Sequence, residues 1–150
     1  MIKQITKKIA FSVLICFASQ SSFATKLDTI SNWQINFNYE TILKLNEWNK
    51  GYVLELSKDT LSETDLLGIK YSAGCLVCSD CITHLAIYDQ NKNLVQYEDG
   101  KGAWAPIYIS FRQILIHSEK TGQTIFDCYF LVGNKIDSKR ATHVLRIQLI

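Results

Sequence analysis

Four stretches of this chain set an apolar residue at every second position, and that period commits it to a fold built mainly of sheet. They are Trp33-Ile35-Phe37-Tyr39, Tyr52-Leu54-Leu56, Phe126-Cys128-Phe130-Val132 and Leu145-Ile147-Leu149. Gln34, Asn36 and Asn38 fill the gaps of the first run, and Arg146 and Gln148 those of the last, so each strand has one face to bury and one to leave wet. The pattern predicts a hairpin from about Ile42 to Ser57 around Asn49-Lys50-Gly51, with Gly51 supplying the positive φ of a tight turn. A second hairpin is expected of Leu85 to Tyr88 and Leu94 to Tyr97, which flank the polar stretch Asp89 to Asn93. Asp59 to Leu67 reads as a turn with Ser62 and Asp65 at capping-box spacing, and Glu98 to Gly102 as another turn.

One segment has helical periodicity. Ile107, Phe111, Ile114, Leu115 and Ser118 fall on one face at spacings of three and four, while Arg112, Gln113, Glu119 and Lys120 point elsewhere. Pro106 suits a first helical position and Gly122 a C′ position, which predicts a helix from about Pro106 to Thr121. An antiparallel sheet needs an apolar cover, and a single amphipathic helix supplies one.

The first residues carry a different signal. Lys3, Lys7 and Lys8 precede an apolar run from Ile9 to Ala18, and Ser22-Phe23-Ala24 puts small residues at the −3 and −1 positions of a cleavage site. The expectation is a signal peptide over residues 1–24 and a single domain over 25–150, periplasmic or secreted. Ile15 is too bulky before Cys16 for lipidation. The chain carries a formal charge of +2, and three of its lysines lie in this acid-free leader, so the remainder carries about −1. That balance offers no basic patch for nucleic acid, and no second apolar run is long enough to insert in a membrane.

Cys75, Cys78, Cys81 and Cys128 remain after the leader, an even number in an oxidising compartment, and disulfides are expected of them. Cys128 shares a face with Phe126 and Phe130, and its expected partner is one of the three clustered cysteines. The run Cys75-x-x-Cys78-x-x-Cys81-x-x-His84 also has soft ligands for a metal, but structural zinc sites draw ligand pairs from separated segments. A redox Cys-x-x-Cys belongs at a helix N-terminus, and this one precedes a strand. No metal and no cofactor are therefore expected. His84, His117 and His143 are far apart and accompany no recognisable nucleophile, so no catalytic residue is assigned and the chain is not expected to be an enzyme. Most aromatics should pack in the core. Trp104, in a loop before the helix, and Tyr97 are the candidate ligand contacts.

Trp104-Ala105-Pro106, Phe111-Arg112-Gln113-Ile114-Leu115 and Thr121-Gly122-Gln123 before a strand resemble one segment of the pentameric B subunits of subtilase-cytotoxin and typhoid-toxin type. That family has a Trp-Ala-Pro lead-in, a central helix, a Thr-Gly-Gln exit and an OB-fold. Its N-terminal sugar-contacting segment has no counterpart here, so no glycan-binding residue carries over. The combined expectation is a β-rich α+β fold, an OB-like antiparallel barrel or sheet with one covering helix. Its expected role is non-catalytic binding of a glycan or other surface ligand by a homo-oligomer. The alternatives are a monomeric envelope-associated structural domain without a ligand site and a periplasmic thiol- or metal-handling protein.

Overall fold

The structure, a computed structural model, describes residues 32–49, 51–72, 81–102, 105–133 and 141–150. The leader, Cys75, Cys78 and Trp104 lie outside the described residues. In chain order the elements are β1 (Asn32–Phe37), β2 (Glu40–Asn46), β3 (Val53–Leu56), β4 (Leu66–Ser72), β5 (Ile82–Asp89), β6 (Leu94–Lys101), β7 (Ile107–Ser110), α1 (Arg112–Thr121), β8 (Ile125–Val132) and β9 (Thr142–Leu149). The chain is thus β-rich α+β, with one helix among the described residues.

The strands form two open sheets, ordered β2-β1-β4-β7 and β3-β9-β8-β5-β6. Their inner faces and one side of α1 share a continuous core. Trp33, Ile35, Leu67, Ile69 and Ile109 come from the first sheet, Leu85, Ile87, Phe126, Cys128 and Leu145 from the second, and Phe111, Ile114 and Leu115 from the helix region. The ring of Tyr71 meets that of Phe130 across the sheets at 5.6 Å, and Phe37 meets Phe111 at 6.0 Å. The inner faces are the alternating apolar positions of the sequence, so binary patterning sets what is buried.

The pairing departs from expectation in three places. The hairpin partner of β2 is β1, not β3, through the two-residue turn Asn38-Tyr39 with φ of 49° and 72°. The apolar alternation runs on through Tyr39 and hides that turn. β3 leaves for the other sheet and lies parallel to β9, so the hairpin expected over Ile42 to Ser57 does not form. Residues Ile107, Ile109 and Phe111 also satisfy period two. They enter the core as the strand β7 and its end, and α1 starts only at Arg112 with Phe111 as N-cap. Glu98 to Lys101 continues β6 rather than turning. Gly100 is there for packing, since a Cβ would lie 2.6 Å from both Ile107 Cγ1 and Thr83 Oγ1.

Elsewhere the expectations hold. β5 and β6 form an antiparallel hairpin, and Gly122 ends α1 at φ 72° with its N–H donating to Ser118 O. β8 and β9 occupy the two C-terminal alternating runs. Asp65 accepts the Ser62 N–H at 2.8 Å, half of the expected capping box, but a strand follows instead of a helix.

Candidate functional site

The outer face of the second sheet, turned away from the core, carries an aromatic cluster that strand register assembles. Ala86 in β5 pairs with Tyr97 in β6 on one side and with Tyr129 in β8 on the other. A small side chain between two tyrosines leaves a slot, since neighbouring strands lie about 4.8 Å apart and the rings project from the flanking pair. The slot is an open cavity of about 330 Å³ whose lining also includes His84, Tyr88 and Lys92. That is the low end of small-molecule pockets. Tyr88 meets Tyr129 edge-on at 5.6 Å, and Tyr129 meets His143 edge-on at 5.2 Å, so the aromatic floor is braced.

One wall is a hydrogen-bonded group of His84, Tyr97 and Asp99. His84 Nε2 sits 2.9 Å from the carbonyl oxygen of Gly133, which can only accept, so Nε2 carries a proton. Its Nδ1 faces the Asp99 carboxylate at 2.6 Å and also the Tyr97 hydroxyl. The hydrogen bonds from Tyr97 and His84 hold the Asp99 carboxyl below its usual range. Burial, and then the Asp99 carboxylate, push the Tyr97 hydroxyl up to about 12. Tyr97 is therefore a neutral phenol with a fixed ring. Both His84 nitrogens are committed to protein groups, and this imidazole has no free position from which to act on a ligand.

Beside the cavity, on the same outer face, lies Asp127, a buried carboxylate that reaches the lining through Lys92. Arg146 reaches it through Nε at 2.8 Å and Nη2 at 3.4 Å, Lys92 Nζ donates at 3.2 Å, and His143 Nε2 lies at 3.3 Å. Burial alone would raise the Asp127 carboxyl, but the hydrogen bonds from Arg146 and Lys92 and the charges of Arg146 and His143 outweigh it and lower it. Lys92 stands in the β5–β6 loop at a left-handed φ of 65°. That loop is held by buried Asp89, whose Oδ1 accepts the backbone N–H of Asn91 and Asn93 at 2.8 Å each. Asp89 Oδ2 accepts from the Asn93 amide at 3.0 Å and faces His117 Nε2 at 3.2 Å. The cation at the cavity rim is therefore positioned by the fold.

Of the residues expected to matter, Tyr97 lies in this cavity and Trp104 lies outside the described residues. Cys128 is a free thiol on the inner face of β8, wholly buried, and burial pushes it up. Of the three expected partners of Cys128, Cys75 and Cys78 lie outside the described residues, and register separates it from Cys81. Cys128 pairs with Ile87, and Cys81 lies six residues further down β5, about 20 Å away, against the roughly 6 Å a disulfide spans. Among the described residues no cluster of metal-ligating side chains occurs and no helix is long and apolar enough to cross a membrane. The sequence points to His84 only as a metal or catalytic candidate to set aside, and does not single out Ala86, Lys92, Tyr129 or Asp127 as site residues. The signal for Tyr129 and Asp127 was there, since both fall on the non-core positions of a strand whose wet face should be small and polar. No protein-family model and no curated protein matches the chain.

Proposed function

We propose that this chain is a non-catalytic binding domain, periplasmic or secreted, whose tyrosine-lined cavity takes a sugar-sized ligand with a flat apolar face and polar edges. One observation carries the reading: register sets Tyr97 and Tyr129 on either side of Ala86, so two braced rings flank a slot with a charged donor at its rim. Tyrosine suits such a ligand because its ring gives apolar contact at low entropy cost while its hydroxyl bonds the edge. The commitment of both His84 nitrogens supports binding over acid–base chemistry.

Homo-oligomerisation and an OB-like relationship belong to the same proposal. The β7–α1–β8 order supports the second, since it places a helix between strands where the resembled family has one. Among the described residues β2 and β3 are outer edges of their sheets, and Ile42, Trp48, Tyr52 and Val53 along that stretch are exposed apolar side chains. Such an edge supports pairing with another copy.

The test is a glycan array on the full chain, with light scattering for its assembly state. Ala86→Phe fills the slot from its floor. It should cut binding at least tenfold while leaving the unfolding midpoint within a few degrees. Binding that survives Ala86→Phe removes the cavity as the site, and an array without signal leaves the structural-domain reading ahead.

A further inference from the structure

The first sheet carries a second arrangement of aromatic and polar groups, on its own outer face and independent of the cavity. It begins at the β1–β2 turn. Asn38 and Tyr39 both take positive φ, the pattern of a type I′ turn. Asn suits its place, and its side chain is fixed by an amide donation to Asp65 Oδ1 at 2.9 Å and by accepting the Leu66 N–H at 2.8 Å. The second place favours glycine, and a bulky residue there is strained. Yet Tyr39 occupies it at φ 72°, with 70% of its surface exposed. A strained residue persists where its surroundings or its use require it.

The surroundings are ordered around that ring. Tyr39 and Tyr108 stand 4.9 Å apart, inclined by 53°. Gly68, the register partner of both Asn36 and Tyr108, makes room for the Tyr108 ring, since a Cβ at 68 would lie 2.3 Å from its Cε1. Behind the rings lies Asn36, an outer-face amide that is nonetheless only 4% exposed. Asn36 Nδ2 donates to the Tyr108 hydroxyl at 3.3 Å, and Asn36 Oδ1 accepts from Thr41 Oγ1 and Gln34 Nε2 at 3.0 Å each. Gln34 Nε2 also donates to Thr41 Oγ1 at 2.7 Å. Because the Tyr108 oxygen accepts from Asn36, its own proton is directed to another acceptor. Every group in the row is an uncharged amide or hydroxyl.

We infer that Tyr39 and Tyr108, with Gln34 and Thr41 beside them, form a second binding site, for a neutral sugar ring stacked on the exposed tyrosine. The strain at Tyr39 is spent on displaying a ring where glycine would serve the turn better. The adjoining hydroxyls and amides are held in fixed orientation, as recognition of a ring of hydroxyls requires. Tyr39 is a binding residue here, and Asn36 a positioning residue that sets the direction of the Tyr108 and Thr41 hydroxyls.

The test separates turn stability from binding. Tyr39→Gly gives Asn-Gly, the preferred pair for this turn, so the variant should unfold at the parent's temperature or a few degrees above it. The methyl glycosides of glucose, galactose, mannose and N-acetylglucosamine are titrated into the full chain at millimolar concentration and followed by backbone NMR shifts. At least one should shift Gln34, Tyr39, Thr41 and Tyr108, and the shift should weaken at least tenfold in Tyr39→Gly. Shifts at Ala86, Tyr97 and Tyr129 report the cavity separately, so either site can fail without the other. A midpoint that drops by several degrees in Tyr39→Gly would make the ring a structural brace and overturn the proposal. So would a titration in which no glycoside moves the Tyr39 group, or one in which Tyr39→Gly binds as the parent does.

Discussion

Thr83→Val should stabilise the protein. Thr83 is fully buried in β5, facing the core, and its Oγ1 has no hydrogen-bond partner among the described residues. It lies in the layer where β6 and β7 close on β5, packed so tightly that Gly100 can carry no Cβ. A hydroxyl buried without a partner costs about 1–3 kcal/mol by mutational measure. Valine has nearly the same shape and replaces that oxygen with a methyl group that wants to be dry. Part of the gain goes into accommodating the methyl beside Gly100, which leaves about 1 kcal/mol net. For a domain of this size that raises the midpoint by about 3–5 °C. Thr83→Ser is the control. It keeps the unpaired oxygen and deletes the methyl, and should lose about 1 kcal/mol. Urea unfolding followed by tryptophan fluorescence reads both. A Thr83→Val protein less stable than its parent by 1 kcal/mol or more would refute the reasoning, because it would mean the hydroxyl is satisfied.

Four further outcomes are expected. Phe111 is fully buried at the start of α1 and packs on Phe37, so Phe111→Ala should cost about 3–5 kcal/mol in the same assay. Arg112→Ala, whose partner Glu63 is 3.5 Å away with both side chains exposed, should move stability by less than about 0.5 kcal/mol. Asp127 has a lowered carboxyl in the folded state, so its contribution is complete above the unfolded value of about 3.9 and is lost as pH falls through the folded value. Asp127→Asn should therefore cost about 1–2 kcal/mol at neutral pH and flatten the acid limb of a stability–pH curve, leaving the share due to Asp89 and Asp99. Cys128 should react with an aromatic disulfide reagent only after unfolding, and non-reducing peptide mapping should yield no Cys81–Cys128 peptide.

The sequence made most of the strands legible, β4 excepted, and their partners much less so. Period two names a face to bury, and Ile35, Cys128, Leu145 and Ile147 all went where it sent them. It says nothing about which strand lies alongside. β3 reads as the return strand of a hairpin, yet it joins β9 from the far end of the chain, a parallel pairing that no local signal announces. Residues 107–111 obey two periods at once, because positions four apart on a helix are also even-spaced on a strand. Tertiary packing against β4 decided for the strand. The cavity was illegible for the same reason. Ala86, Tyr97 and Tyr129 are ordinary strand residues until the register sets them side by side, and Tyr97 alone stood out by type.

Both outer faces follow one physical logic. In a domain whose inner faces make a single core, outward positions are the place for exposed polar side chains. Here they hold polar groups that are largely covered: His84 and Asp127 on one sheet, Asn36 on the other. Over His84 and Asn36 the cover is tyrosine, which supplies an apolar ring to exclude water and a hydroxyl to join the network. Tyr97 stacks on His84 at 5.6 Å while bonding to it, and Tyr108 accepts from Asn36 while standing over Gly68. A covered polar network is costly unless fully paired, and once paired it holds its rings and hydroxyls in one arrangement. A ligand that meets such a surface finds its contacts already ordered and loses little affinity to arranging them. That preorganisation is what a small, shallow site needs in order to bind at all. It also explains why the residues most worth mutating here are the ones that hold the tyrosines still.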